Sequence, residues 1–316
     1  MSRHRTAISI GVFAVTALAA MAVFNRMSTR RAEEDNPPTG QFIDIDGVKL
    51  HYTDHGTGPA IVFLHGNGAM VEDFQASGLL DAISDARVIA FDRPGFGHSR
   101  RPRSVIWTPS HQADLIHHAL ARLGVTEAIL VGHSWGALLA ATMAVRHPTL
   151  VKGLVLASGY YFPSARLDGL MSIGGALPIV GDLLSQTLSP LIGRLIWGAS
   201  LRKIFGPARV PEKFEAFPTE MALRPSQLRA AAVETTLMVP AAAAVHRRYG
   251  ELTVPVVIIA GADDRLVDFH AQSHRLHEVI KHSTLRRVAN CGHMVHQTAT
   301  DDVLASIATV RERIAG

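Results

Sequence analysis

Ser134 stands in Gly132-His133-Ser134-Trp135-Gly136, a Gly-x-Ser-x-Gly pentapeptide. A serine hydroxyl is a weak nucleophile at neutral pH, so it needs a base, and the base needs an orienting acid. An apolar, β-favouring run (Ala128, Ile129, Leu130, Val131) leads in, and a run rich in Ala, Leu and Met leads out as far as His147-Pro148. A strand entering and a helix leaving is the context in which this motif forms a nucleophile elbow. The glycines leave room for a tight turn, and the helix N-terminus behind the serine favours negative charge. Candidates for the other two roles come late in the chain. They are the aspartates of Gly261-Ala262-Asp263-Asp264 and the histidine of Cys291-Gly292-His293. Ser134, an aspartate and His293 therefore follow in the order nucleophile, acid, base.

These residues need a scaffold, and the pattern around them supplies one. Residues 41–53 alternate in polarity and turn at Asp46-Gly47, as a β-hairpin does. Short continuous apolar runs follow at 60–64, 88–91, 128–131, 151–157 and 254–260. Runs of that length suit strands buried on both faces of a parallel sheet. Helical stretches lie between them, with further ones at 269–280 and 301–314. The alternation predicts an α/β fold, a mostly parallel, doubly wound sheet with helices on both faces. Sites in such sheets lie beyond the carboxyl ends of the strands. Between residues 160 and 250 the alternation stops, and eight prolines punctuate apolar helical pieces such as 183–197 and 228–239. This region is expected to be a helical cap, dividing the core into residues 41–159 and 251–316.

Five pieces taken together resemble the α/β-hydrolase family from residue 41 to the C-terminus. They are His65-Gly66-Asn67-Gly68, Asp92-Arg93-Pro94-Gly95-Phe96-Gly97-His98-Ser99, Gly132-His133-Ser134-Trp135-Gly136, Gly261-Ala262-Asp263-Asp264 and Gly292-His293. The resemblance implies Asp264, rather than Asp263 or Asp268, as the acid that orients His293. It also implies an oxyanion hole from the backbone NH groups of Trp135 and Asn67. Asn67 and Trp135 are similar to the halide-holding pair of haloalkane dehalogenases, but those enzymes use an aspartate nucleophile and position 134 is serine. His65, His98 and Arg93 are read as residues that fix loop structure, and Cys291 as a small buried residue. His270, His274 and His277 fall at helical spacing with no carboxylate or cysteine completing a ligand set, so a solvated face is expected rather than a metal site.

The composition bounds the rest. The hydrophobic fraction of 47% in 316 residues is ample for a large core, and one cysteine excludes an intrachain disulfide. The formal charge is only +4, of which residues 1–36 hold +2, and the other charges are scattered. No basic stripe interleaved with aromatics marks a nucleic-acid partner. Residues 6–24 form an uncharged apolar run between Arg3-His4-Arg5 and Arg26. At about 1.5 Å per residue such a helix approaches the bilayer core thickness. Residues 1–26 are expected to anchor the protein in a membrane, the alternative being a cleaved signal on an exported protein. Residues 27–40 read as a polar linker.

The expectation is a serine hydrolase that needs no cofactor or metal and cleaves a carboxylic ester of a mainly apolar small molecule through an acyl-enzyme. Apolar cap residues, Met171 and Trp197 among them, are expected to bind the acyl group. Four alternatives share much of this sequence pattern: a carbon–carbon bond hydrolase of a diketo acid, a cofactor-free perhydrolase, an acyltransferase, and a non-catalytic binding protein of the same fold.

Overall fold

A computed structural model describes the chain except Met1, Arg166 and the side chains of residues 2–11, Ala14, Leu167, Asp168, Leu170 and Met171. Eight strands form one sheet in the order β1-β2-β4-β3-β5-β6-β7-β8. β1 (Gln41–Ile45) and β2 (Val48–His55) form the antiparallel edge. The turn between them places Asp46 at φ 54° and Gly47 at φ 79°, the two positive values that a two-residue hairpin turn requires. The remaining strands are mutually parallel: β3 (Ala60–Leu64), β4 (Arg87–Phe91), β5 (Ala128–His133), β6 (Val151–Ala157), β7 (Val256–Gly261) and β8 (Thr284–Val288). The chain steps from β3 out to β4 and returns to place β5 on the other side of β3. Their carboxyl ends therefore flank a topological switch point.

Period-two alternation divides each central strand between two cores. Val62, Leu64, Leu130, Leu154 and Ile258 face one cluster with α3 (Pro109–Arg122) and α4 (Trp135–Arg146). Ile61, Phe63, Val131, Val155 and Ile259 face the other, with α2 (Val71–Ser77) and the C-terminal α12 (Thr300–Ala315). The sheet is doubly wound, as its alternating pattern predicts. The expected helix at 269–280 is instead a π-turn, His270–His274, followed by α10 (Arg275–Val279). The short α11 (Val295–Thr298) precedes α12.

Between β6 and β7 the chain builds the cap. It comprises α5 (Leu167–Ala176), α6 (Val180–Gln186), α7 (Leu188–Phe205), α8 (Thr219–Ala222) and α9 (Pro225–Val245). The apolar piece at 228–239 stops short of Pro240, whereas α9 runs through that proline. A proline removes one backbone bond, and here the tertiary contacts of α9 outweigh that loss. Met238, Ala241 and Ala242 pack into the sheet core.

The N-terminal segment differs most from expectation. The sequence predicts a linker over residues 27–40, yet α1 (Ser2–Asp35) is one continuous helix, and its last three turns dock on the cap. Asn25 is buried and donates from Nδ2 to the carbonyls of Gln186 (2.9 Å) and Thr187 (2.7 Å). Ala32 joins Phe205, Phe214, Phe217 and Met221 in a small apolar cluster, and Glu33 pairs with Arg224 at 2.7 Å. One buried alanine and one buried asparagine make a docking face too sparse to register as hydrophobic periodicity.

Candidate active site

β5 delivers Ser134 with φ 54° and ψ −115°, a conformation that costs free energy and persists because the surroundings enforce it. Its amide donates to Ala157 O on β6 at 2.8 Å, and α4 starts at the next residue. A Cβ on Gly132 would strike the Gly136 carbonyl, and one on Gly136 would strike Leu64 O. Glycine is required at both positions for the turn to close against β3.

Two adjacent aspartates follow β7, and the backbone sends them different ways. Asp263 faces solvent. The carboxylate of Asp264 is buried, and its Oδ1 accepts the amides of Leu266 (2.8 Å) and Val267 (3.0 Å). Its Oδ2 takes a hydrogen bond from Nδ1 of His293 at 2.7 Å. Burial alone would raise the pKa of Asp264, but His293 and the two amides hold it below the usual carboxylate range. Asp268 instead accepts the amide of Ala271 at 2.6 Å. His293 is buried, and its own amide donates to Ile204 O of the cap at 2.8 Å. Cys291 is buried, with its thiol pushed up by burial and its sulfur 3.0 Å from Thr298 Oγ1.

Ser134 and His293 open onto one cavity of about 270 Å³. The loop Gly66–Ala69 after β3 forms one wall, and Trp197, Leu201 and Ile204 of α7 form another. Phe214, Phe217, Met238 and Met294 complete an apolar lining. Trp197, the cap residue expected at the acyl group, is stacked on Phe217 with ring centres 6.3 Å apart. Met171 lies on α5, and its side chain is outside the described residues. The amide of Trp135 opens α4, where helix donors lack intrahelical partners, and Asn67 lines the cavity. The Asn67 side chain is bound elsewhere, donating to Ala231 O (3.1 Å) and Thr235 Oγ1 (2.9 Å) of α9. The Trp135 indole is fully buried in the sheet core.

His65 is held by bonds within its own loop region. His65 is buried, and burial beside Arg93 lowers its pKa to about 3, so it is neutral. It accepts the Arg93 amide at Nε2 (2.9 Å) and donates from Nδ1 to Gly66 O (2.8 Å). The His270 and His274 rings lie 5.5 Å apart, His274 is 3.9 Å from Glu278, and His277 bonds Ser283 at 2.8 Å.

Two groups escape a reading of the sequence. Arg93 is fully buried and forms a two-bond pair with Glu234 of α9, Nη1 to Oε1 at 2.5 Å and Nη2 to Oε2 at 3.0 Å. Of its other three hydrogens, two reach His65 O and Gly66 O, both at 2.9 Å, and one reaches Gln112 Oε1 at 3.0 Å, so one side chain ties the loop after β3 to the cap. The available signal is a lone glutamate amid the apolar residues 228–239. Asp73, His133 and His296 form a second buried group, each offering a ligand atom within 4.8 Å of the others. Within the group His296 Nε2 bonds Asp73 Oδ2 at 2.9 Å and His133 Nε2 bonds His293 O at 3.1 Å, while Nδ1 of each histidine is buried without a hydrogen-bond partner. Burial and the neighbouring histidines keep the His133 pKa well below its ordinary value, so it donates this bond as a neutral ring.

A family model described as the alpha/beta hydrolase fold matches residues 59–300. The chain belongs to the α/β-hydrolase family. Within it, this hydrolase is 26% identical over 280 residues to haloalkane dehalogenase 2 of Mycobacterium tuberculosis, covering 86% of this chain and 94% of that protein. It is 31% identical over 156 residues to 2-hydroxymuconate semialdehyde hydrolase of a Pseudomonas species, covering 48% of this chain. The chain spans about half the length of the relatives it matches above 30% identity, 54% of that hydrolase and 40% of an acetyltransferase component. The crystal structure of a membrane phospholipase A shares the fold at a TM-score of 0.66 and 20% identity, covering 98% of this chain and 99% of that one. A superposition of that extent includes most of α1.

Proposed function

We propose that this α/β-hydrolase is a membrane-anchored serine esterase acting on mainly apolar acyl groups. The reading rests on one observation above the others: Ser134, on a strained elbow, shares an apolar cavity with a histidine already hydrogen-bonded to a buried aspartate. In the reaction His293 takes the hydroxyl proton as Ser134 Oγ attacks the acyl carbonyl, and Asp264 holds the imidazole in the tautomer that accepts it. The amides of Trp135 and Asn67 receive the oxyanion. His293 then returns the proton to the leaving alcohol, and water releases the acid by the same route.

The lining favours an ester over an anionic diketo acid. Among the described residues lining the cavity none is lysine or arginine, so a carboxylate entering it would lose hydration without a cationic partner. The likeness to carbon–carbon bond hydrolases keeps that chemistry as the second reading. Anchoring is supported by the apolar run in α1 and by a fold neighbour whose structure is that of a membrane phospholipase A.

The test is a series of p-nitrophenyl esters set beside amides, lactones and diketo acids. Each buried methylene contributes about 0.8 kcal/mol, so kcat/KM should rise from acetyl toward medium-length acyl groups. A fluorophosphonate should label Ser134 and no other residue. Activity confined to anionic diketo acids, or Ser134→Ala turning over esters at the native rate, would sink the esterase reading.

A further inference from the structure

The cap is built inside out on one side. Helix α7 carries two apolar stripes. At about 100° per residue Trp197, Leu201 and Ile204 fall on one side and line the cavity. Leu188, Ile192, Leu195 and Ile196 fall on the opposite side and face outward, Leu195 85% exposed. The preceding segment continues the surface with Ile179, 81% exposed, and Leu183. A solvated helix turns its polar face to water, and contiguous exposed apolar surface of this kind marks an interaction site.

The position of α1 says what covers it. Asn25 holds the carbonyls of Gln186 and Thr187, the two residues immediately before α7. Phe24 lies under the Arg194 guanidinium, 5.7 Å from the ring centre, in the amino-terminal half of α7. The apolar run of α1 leaves the body of the protein at that point, with Val12, Phe13, Val15 and Val23 exposed. Cations follow each of the two apolar stretches along the chain. Arg26, Arg30 and Arg31 follow the apolar run of α1 and face solvent, and Arg202 and Lys203 occupy the last turn of α7. An apolar face edged by basic residues matches an interface of acyl chains and anionic headgroups.

We propose that the outward face of α6 and α7 rests in the interfacial layer of a phospholipid bilayer beside α1. This rests on the anchoring reading given above. α7 then lies as a wall one helix thick between lipid and the cavity, so an acyl substrate need not cross bulk water to reach Ser134.

The full-length protein is reconstituted in vesicles of phosphatidylcholine and phosphatidylglycerol. An environment-sensitive fluorophore is placed on Leu195→Cys, on Ile179→Cys, and on Lys281→Cys at the opposite, amino-terminal end of the sheet. Cys291 is buried and leaves the labelling selective. Doxyl groups near the headgroup should quench positions 195 and 179 at least threefold more than 281. Leu195→Asp combined with Ile196→Asp should cut hydrolysis of a vesicle-borne ester at least tenfold and leave a water-soluble acetate ester unchanged. Protein that floats with vesicles but shows no quenching at 195 overturns the docking and leaves anchoring intact. Protein that does not float overturns both. If two copies of the unlabelled Leu195→Cys variant join by a disulfide at that position, in place of quenching, the face belongs to self-association and the lipid assignment is overturned.

Discussion

Asp263 and Asp264 have the same chemistry and adjacent positions, and the backbone aims only one at His293. Asp264→Asn should therefore lower kcat by about three to four orders of magnitude, because an amide there favours the wrong imidazole tautomer. Asp263→Asn should leave kcat within about twofold, its side chain being exposed. Steady-state kinetics on one ester compare the two directly, and a dead Asp263 variant would reverse the assignment. His65 offers a second measurement at this scale. Its folded pKa of about 3 lies below the unfolded value near 6.5, so the unfolded state binds more protons between those limits. Its contribution to stability is complete above about pH 6.5 and falls as pH drops toward about 3, by up to about 1.4 kcal/mol per pH unit. Denaturant unfolding across that window should show a steep loss in the native protein and a shallower slope in His65→Gln.

At the scale of elements, buried polar contacts join apolar packing in holding the cap to the core. Arg93 and Glu234 are both fully buried, and α9 reaches the loop after β3 through them and through the Asn67 amide. Removing one member of a buried ion pair leaves the other charged and unpaired, at a cost of about 3–5 kcal/mol. Glu234→Ala should lower stability by about that amount and also raise KM, since the Asn67 loop would lose its tether. The double variant Arg93→Met with Glu234→Leu should recover part of the stability, because the Arg93 charge is then no longer stranded and only Arg101, 4.0 Å from Glu234, loses a partner. Chemical denaturation distinguishes the two, and equal losses in both would assign the cost to packing rather than charge. The same pair explains why Asp92-Arg93-Pro94-Gly95 acts as a structural turn: Asp92 accepts the Val71 amide at 2.9 Å while Arg93 reaches the cap.

For the whole molecule, α1 and the cap behave as one assembly. Asn25, Ala32 and Glu33 fasten the helix to α6 and to the segment around Arg224, so its course is set by the body of the protein rather than by a free tether. Full-length protein should resist extraction by high salt and by carbonate yet dissolve in detergent. An N-terminus at Ala20 or Val23 in purified protein would instead establish signal cleavage. Asn25→Ala leaves the carbonyls of Gln186 and Thr187 without their donor, which costs about 1–3 kcal/mol. It should loosen α1 from the cap, read as faster proteolysis after Arg26 or Arg30, without releasing the protein from membranes.

Sequence alone carried the sheet, the elbow and the ends of the strands where chemistry collects. Short apolar runs and glycine positions are local, and Gly132 and Gly136 are demanded by a turn only a few residues long. The hairpin at Asp46-Gly47 was legible for the same reason. Tertiary structure decided what depends on partners far along the chain. Glu234 lies 141 residues from Arg93, and nothing local distinguishes a buried, paired glutamate from a solvated one. The choice between Asp263 and Asp264 depended on family resemblance until the path of the backbone after β7 separated them. Residues 27–35 look like linker because a helix that docks through one asparagine and one alanine shows no periodic signal. Whether a polar or isolated residue is structural depends on what desolvates and pairs it, and those partners are brought together only when the chain has folded.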